Sequence, residues 1–259
     1  MSFSSEIKEE LSKTNNLKNK EEVKYEFLGY LISSNIAIKK NKIEYSTENE
    51  YNINRLNKLL NNLNIDYDIC VKGNLFVIKF NIENITDYIN LLGNIEKENL
   101  KKAFIRGSFL GSGSINDPNK KYHIEISLEN KEYANILKNI MQEFEITFKE
   151  LERKSSYSLY SKDGEEISKF LALIGASKAV INFEEIRVIR DIRNNVNRKV
   201  NCETANLNKT VNAAVRQIED IKFIYNSKAE DKLSDSLKEI ANLRIENPDM
   251  PLVELGKKL

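Results

Sequence analysis

The stretch IRGSFLGSGSI, residues 105–115, closes a helix-like run that begins near Asn94. Gly107, Gly111 and Gly113 stand where a soluble helix normally avoids glycine, the first two one helical turn apart. Each glycine inside a helix costs roughly 0.5–1 kcal/mol relative to alanine, so the spacing asks for a reason. Close approach of a second backbone supplies one.

The same pattern returns, weakened, in EFLGYLISSNIAI at residues 26–38. Aligning Gly29 with Gly107 puts Ser33 on Gly111 and Ser34 on Ser112. The segments after the two copies also match. After the first, Lys42–Thr47 reads as a strand, and Ile53, Leu56, Leu60 and Leu63 mark one helix face. Tyr67, Ile69 and Val71 then alternate, a Lys72-Gly73-Asn74 turn comes next, and Phe76, Ile78 and Phe80 alternate again before a short helix at 87–92. After the second, Tyr122, Ile124, Ile126 and Leu128 alternate, and Asn130 can cap a helix with Tyr133, Ile136, Leu137, Ile140, Met141 and Phe144 on its apolar face. Strands near 147–153 and 156–161 and a helix carrying Ile167, Phe170, Leu171 and Ile174 complete the unit. Each half therefore reads helix, strand, helix, strand, strand, helix. Gly29 and Ser33 lie on one face of the first helix, Gly107 and Gly111 on one face of the second. Each small stripe could pack beneath its own sheet, or the two could pack face to face; the repetition favours the pair.

Composition excludes several classes of function. Hydrophobic residues make up 41% and charged residues 31% of the 259, as in a soluble globular chain with ample core. Forty basic residues against 39 acidic leave +1, so a polyanion would have to be held by local clustering rather than by the field of the whole chain. With Cys70 and Cys202 as the only cysteines and no apolar run at the start, a reducing cytoplasmic location is expected, and no stretch is apolar enough to span a bilayer. His123 is the only histidine, which rules out a multi-histidine metal site and disfavours a Ser-His-Asp triad. No phosphate-binding G-x-x-x-x-G-K-[ST] loop occurs. No metal, no cofactor and no catalysis are expected.

From Glu184 onwards strand signals fade. Ile186, Ile189, Ile192, Val196 and Val200 form an apolar stripe, with Arg187, Arg190 and Arg198 on or near the other side, Arg193 at the border and Lys199 beside it. Over 187–199 these five basic residues face one acid, Asp191. That excess suits phosphate, and equally suits a solvated face balanced by Glu184 and Glu185. Asn201-Cys202-Glu203-Thr204 interrupts the pattern, and a helix from about Ala205 to Tyr225 comes after it. Near the end, Leu237, Ile240 and Leu243 mark a helix that Asn247-Pro248 stops, and Asp249 can cap a second one burying Leu252 and Leu255.

Paired helices with small residues at their contact, each leading into strands, resemble the LAGLIDADG homing endonucleases, with FLGYLISSN (27–35) and IRGSFLGSG (105–113) in the two motif positions. That resemblance implies an acidic metal ligand at the eighth position of each motif. Ser34 and Ser112 stand there instead, and a neutral hydroxyl is a poor ligand for Mg²⁺. MSFSSEIKEELSK at the start, RGSFLGSGSINDPNKKYHIEI in the middle and NRKVNCETANLNKTVNAAVRQIEDI at 197–221 resemble the WhiA family, bacterial proteins with a degenerate endonuclease-like domain and a C-terminal helix-turn-helix.

The resemblance implies an α+β fold: a pseudo-twofold pair of LAGLIDADG-type repeats, about 22–93 and 94–176, in a domain spanning 1–180. Linker helices at 181–228 and the first helices of a helix-turn-helix at 229–259 would come next, the sequence stopping at Leu259 before the expected recognition helix. The implied function is non-catalytic binding of double-stranded DNA in cell division, chromosome segregation and sporulation transcription, at the nucleoid. Candidate contacts are Arg187, Arg190, Arg193, Arg198, Lys199, His123, Ser127, Lys257 and Lys258. Glu125 argues against the sheet face, since a carboxylate repels phosphate. The alternative is a scaffold whose endonuclease-like domain binds a partner protein, such as a transcription or division factor, with DNA contact expected in the C-terminal part beyond Leu259. With both motif copies in one chain, a monomer is the default.

Overall fold

Asparagine and aspartate set four helix starts in this computed structural model, which describes residues 2–93, 95–153, 156–227 and 229–258. The side chains of Asn19, Asn49, Asn130 and Asp163 accept hydrogen bonds from backbone N–H groups of the first turns they precede, at 2.8–3.3 Å. Such caps satisfy donors that the helix itself leaves orphaned. Asn49 and Asn130 occupy equivalent places in the two repeats, so the repetition extends to the capping chemistry.

After α1 (Phe3–Ser12), the first repeat runs α2 (Lys20–Leu31), β1 (Ile36–Lys39), β2 (Lys42–Thr47), α3 (Glu50–Asn62), β3 (Tyr67–Lys72), β4 (Leu75–Asn81) and α4 (Ile85–Asn90). The second runs α5 (Glu98–Ser112), β5 (Gly113–Ile115), β6 (Ile124–Leu128), α6 (Lys131–Gln142), β7 (Lys149–Glu152), β8 (Tyr157–Ser161) and α7 (Gly164–Ile174). Each makes a four-stranded antiparallel sheet of the same order, β1-β2-β4-β3 and β5-β6-β8-β7. One face of the first sheet buries Ile43, Tyr45, Ile78 and Phe80; one face of the second buries Ile124, Ile126 and Leu159.

Each half carries one strand more than the sequence reading gives it. The run read as helix-like to residue 115 stops at Ser112, and within its echo at 26–38 the helix stops at Leu31, so that β5 and β1 begin inside those stretches. Strands of four and three residues are too short to display alternation, and Gly113 is already extended at φ −73°, ψ 148°. The opening segment, read only as charged, forms α1: Phe3, Ile7 and Leu11 bury one face at a four-residue spacing. The carboxylate of Glu10 in α1 accepts the N–H groups of Lys178 and Ala179, at 2.8 and 3.1 Å. It caps α8 (Ser177–Asn226) from a distant part of the chain.

The helix pair lies at the centre. A Cβ on Gly107 would stand 1.9 Å from the carbonyl oxygen of Glu26, and one on Gly29 would stand 2.4 Å from Phe104 O and Ser108 N. On Gly111 it would meet Ser33 Cβ at 2.8 Å. The backbones of α2 and α5 therefore touch, and only glycine fits at 29 and 107. One turn away, Glu26 is fully buried and held by Arg55 (Nε–Oε1 2.6 Å) and Arg106 (Nη2–Oε2 2.9 Å), with Asn16 Nδ2 donating at 3.0 Å. Burial pushes the Glu26 carboxyl up, but Arg106 and Arg55 outweigh that and hold it below its ordinary value.

The chain divides into two compact units, residues 1–188 and 189–259, with the boundary inside α8. The expected interruption at 201–204 is absent: α8 runs through it. Asn, Cys, Glu and Thr cost at most about 0.7 kcal/mol each in a helix, and neither glycine nor proline stands there to break the hydrogen-bond ladder. In the second unit the rest of α8 is joined by α9 (Asp235–Glu246) and α10 (Leu252–Leu255), with Ala214, Ala241, Arg244 and Leu255 buried. Leu252, expected inside, is 59% exposed because the short helix α10 turns only Leu255 inward.

Candidate nucleic-acid interface

The two motif helices end at one point. Ser34 donates its backbone N–H to the carbonyl oxygen of Ser127 at 3.0 Å, and the Ser112 hydroxyl donates to the same oxygen. Asn35 Nδ2 and the Tyr45 hydroxyl both reach Gly111 O at 2.9 Å. The ends of both motif helices thus hold serines engaged with backbone, and Ser33, buried beside Gly111, has a hydroxyl without a partner among the described residues. Among the described residues, no group of three or more His, Cys, Asp or Glu side chains could hold a metal ion.

On the second sheet, His123 and Ser127 converge on Glu125. His123 Nε2 lies 3.3 Å from Glu125 Oε2, and the Ser127 hydroxyl lies 3.4 Å from Oε1 and 3.2 Å from the Ser158 hydroxyl. Arg153 completes the cluster at 2.7 Å from Glu125 Oε1. Burial raises the Glu125 carboxyl; Ser158, His123 and Arg153 together lower it further, so it stays ionised and compensated. The repulsion that sequence assigns to Glu125 is therefore offset by Arg153. Sequence reasoning missed that residue because it lies 28 positions away, across two strands. On the first sheet, Lys39, Lys42, Glu44, Asp68, Lys79 and Asn81 are among the residues lining an open groove of about 620 Å³, in which Glu44 bridges Lys79 at 3.3 Å and Lys72 at 3.6 Å. Charges of both signs are mixed on each face.

The basic residues of α8 sit differently. In the first unit, Arg187 pairs with Glu184 at 3.0 Å, so part of the proposed balancing by acid is real. In the second unit, Arg190 is half-buried, and Arg193, Arg198 and Lys199 are exposed. The last three make no ion pair among the described residues. Further along, Arg244 is 3% exposed and donates to Met250 O at 2.6 Å and Asn247 O at 3.4 Å, pinning the turn between α9 and α10. Lys257 and Lys258 are exposed, and Lys258 Nζ reaches Asn247 Oδ1 at 3.0 Å. The structure thus gathers His123 and Ser127 at one cluster, Arg193, Arg198 and Lys199 on one helix, and Lys257 and Lys258 beside α10.

Comparison with known proteins matches this architecture. The model of the WhiA LAGLIDADG-like domain matches residues 33–98 and 101–193, and that of the WhiA C-terminal HTH domain matches 196–259. The second takes in residues 196–228, which the sequence reading assigns to linker. "Probable cell division protein WhiA" of Clostridium tetani is 38% identical over 291 residues, spanning 100% of this chain and 91% of the relative. The protein of the same name from Ruminiclostridium cellulolyticum is 44% identical over 216 residues, 81% of this chain and 68% of the relative. Among solved structures, full-length DUF199/WhiA from Thermatoga maritima superposes with a TM-score of 0.70 at 29% identity, covering 100% of this chain and 91% of that one. The N-terminal LAGLIDADG domain of DUF199/WhiA superposes at 0.61 with 28% identity, covering 67% and 92%.

The fold defines the class: a LAGLIDADG-like pair of repeats followed by a C-terminal helix-turn-helix domain. The chain belongs to the WhiA family.

Proposed function

We propose that this chain is a non-catalytic DNA-binding protein of cell division, acting at the nucleoid in the cytoplasm. Exposed, unpaired cations on one helix carry the reading: Arg193, Arg198 and Lys199 stand at the entry to the helix-turn-helix domain and make no ion pair with a carboxylate among the described residues. Unpaired guanidinium and ammonium groups release counterions on meeting phosphate, which is the main source of sequence-independent affinity. Arg190, Lys257 and Lys258 add to the same unit, and Arg187, His123 and Ser127 are secondary contacts from the first. The names of the relatives supply the cell-division role. We extend it to chromosome segregation and sporulation transcription on the family resemblance alone.

Ser34 and Ser112 support the absence of catalysis, since two serines bonded to Ser127 O offer Mg²⁺ no carboxylate. Incubating the chain with supercoiled plasmid and Mg²⁺ or Mn²⁺ tests this: intact plasmid is expected, and nicking above the level of a buffer control contradicts it.

A second reading, in which the endonuclease-like unit docks a protein, is favoured by the β3–β4 hairpin. Ile69 and Val71 are exposed on one face of that hairpin, and Leu75 on the other. Replacing Ile69 and Val71 with Ser and Thr is expected to leave DNA affinity unchanged; a change would assign that hairpin to DNA instead.

A further inference from the structure

Within the second unit, Ile189, Ile192, Val196, Val200 and Leu207 of α8 are each more than half exposed. At about 100° per residue they fall within an arc of about 80°, an apolar stripe about 27 Å long that Glu203 interrupts between Val200 and Leu207. Later in the same helix Ala214 is buried and the Tyr225 hydroxyl donates to Asn242 of α9 at 2.9 Å, so α8 is covered there and bare here. Aligned apolar side chains on a soluble helix mark a contact surface rather than scattered exposure.

The sequence of the stripe points to its occupant. Ile189 and Leu207 lie nine residues either side of Arg198, and Val196 and Val200 lie two either side. Arg193 and Glu203 lie five either side, one a cation and the other an anion, and neither makes an ion pair among the described residues. A helix with this symmetry is complementary to itself run backwards. We propose that α8 pairs antiparallel with α8 of a second copy about an axis at Arg198, making a homodimer. Ile189 then faces Leu207, Val196 faces Val200, and Ile192 faces Thr204. Arg193 comes level with Glu203 of the other copy at both ends, across a helix separation of about 8–10 Å.

Lys199 approaches its own copy at the edge of the seam, and the interface totals only roughly 1,000 Å², so the dimer is weak and concentration-dependent. Arg198, Lys209 and Arg216 fall about opposite the stripe, leaving that basic face uncovered by the pairing. The internal pairing of the two repeats, which made a monomer the default, uses a different surface. Arg193 serves either Glu203 of the second copy or phosphate, so DNA contact through Arg193 competes with the pairing, while Arg198 stays free in both states.

Sedimentation velocity on the full chain tests it, from about 1 to about 200 µM, the range in which a weak interface populates both species. A monomer–dimer equilibrium is expected. Val196→Asp should abolish the dimer, Arg193→Glu should weaken it at least about tenfold, and Arg193→Glu with Glu203→Arg should restore it to within about threefold. All the substituted positions are exposed, and unchanged helical circular dichroism checks that the variants fold. A wild-type chain that stays monomeric throughout overturns the proposal, and then another molecule covers the stripe. A double swap no tighter than Arg193→Glu alone also overturns it, because the antiparallel register requires the rescue.

Discussion

Gly107 and Glu26 show how tightly single residues fix the centre of the endonuclease-like unit. A methyl group at 107 would sit 1.9 Å from a backbone carbonyl oxygen, which cannot move aside without parting the helices. Gly107→Ala is expected to cost more than about 3 kcal/mol, and Gly111→Ala, which meets Ser33, rather less; urea melts of both order them. Replacing Glu26 with Gln leaves Arg55 and Arg106 buried beside a neutral amide, a loss of about 3–5 kcal/mol at neutral pH. Glu26 is held below its ordinary value in the folded chain, so its contribution is full above the unfolded carboxylate range and fades as pH falls through it. The gap between wild type and Glu26→Gln should therefore shrink below about pH 4, and a constant gap would show that the charge is not what stabilises the site.

Lys8 behaves in the opposite way. Burial pushes its ammonium down to about 8, with no carboxylate partner among the described residues and the Phe109 ring centroid 6.0 Å away. The unfolded lysine binds its proton up to about pH 10.4, so this group destabilises the fold below pH 8 and stability recovers as pH rises from about 8 to 10. Lys8→Met is expected to raise stability at pH 7 by on the order of 2 kcal/mol, with the gain vanishing near pH 10. Thermal melts of both proteins across that range check the sign.

At the scale of elements, the repeat was legible because its signals are local and doubled. Leu56 and Leu60 announce α3, Leu137 and Met141 announce α6, and the Lys72-Gly73-Asn74 turn announces the β3–β4 hairpin, where Gly73 adopts φ +60°. Short β1 and β5 were hidden because helix and strand share the apolar residues around the chain reversal. Glu26, Arg55 and Arg106 were invisible as a cluster because they come from three helices, as was Arg153 beside Glu125. Side-chain partners separated by tens of residues leave no periodic trace. The basic residues of α8 were visible, but which of them are paired was not: Arg187 is tied to Glu184, whereas Arg193 and Arg198 are unpaired among the described residues. Replacing Arg193, Arg198 and Lys199 with alanine should therefore lower the salt slope of DNA binding by about 2–3, and Arg187→Ala by less than 1, because each phosphate contact contributes about 0.9.

For the whole molecule, the repeats have a LAGLIDADG-like architecture, and serines at the ends of both motif helices are bonded to backbone. What remains for DNA is positive charge concentrated locally in a chain whose net charge is +1. Binding should then be strongly salt-dependent and weak in the absence of a preferred sequence. Fluorescence anisotropy of labelled duplex DNA with the full chain, over a series from about 50 to about 300 mM salt, tests this claim most directly. Binding at low salt is expected, with log affinity falling linearly against log salt at a slope of at least about −3, one phosphate for each of the three unpaired cations. No binding at about 50 mM salt, or a slope near zero, would contradict the account and leave the chain a scaffold for protein partners.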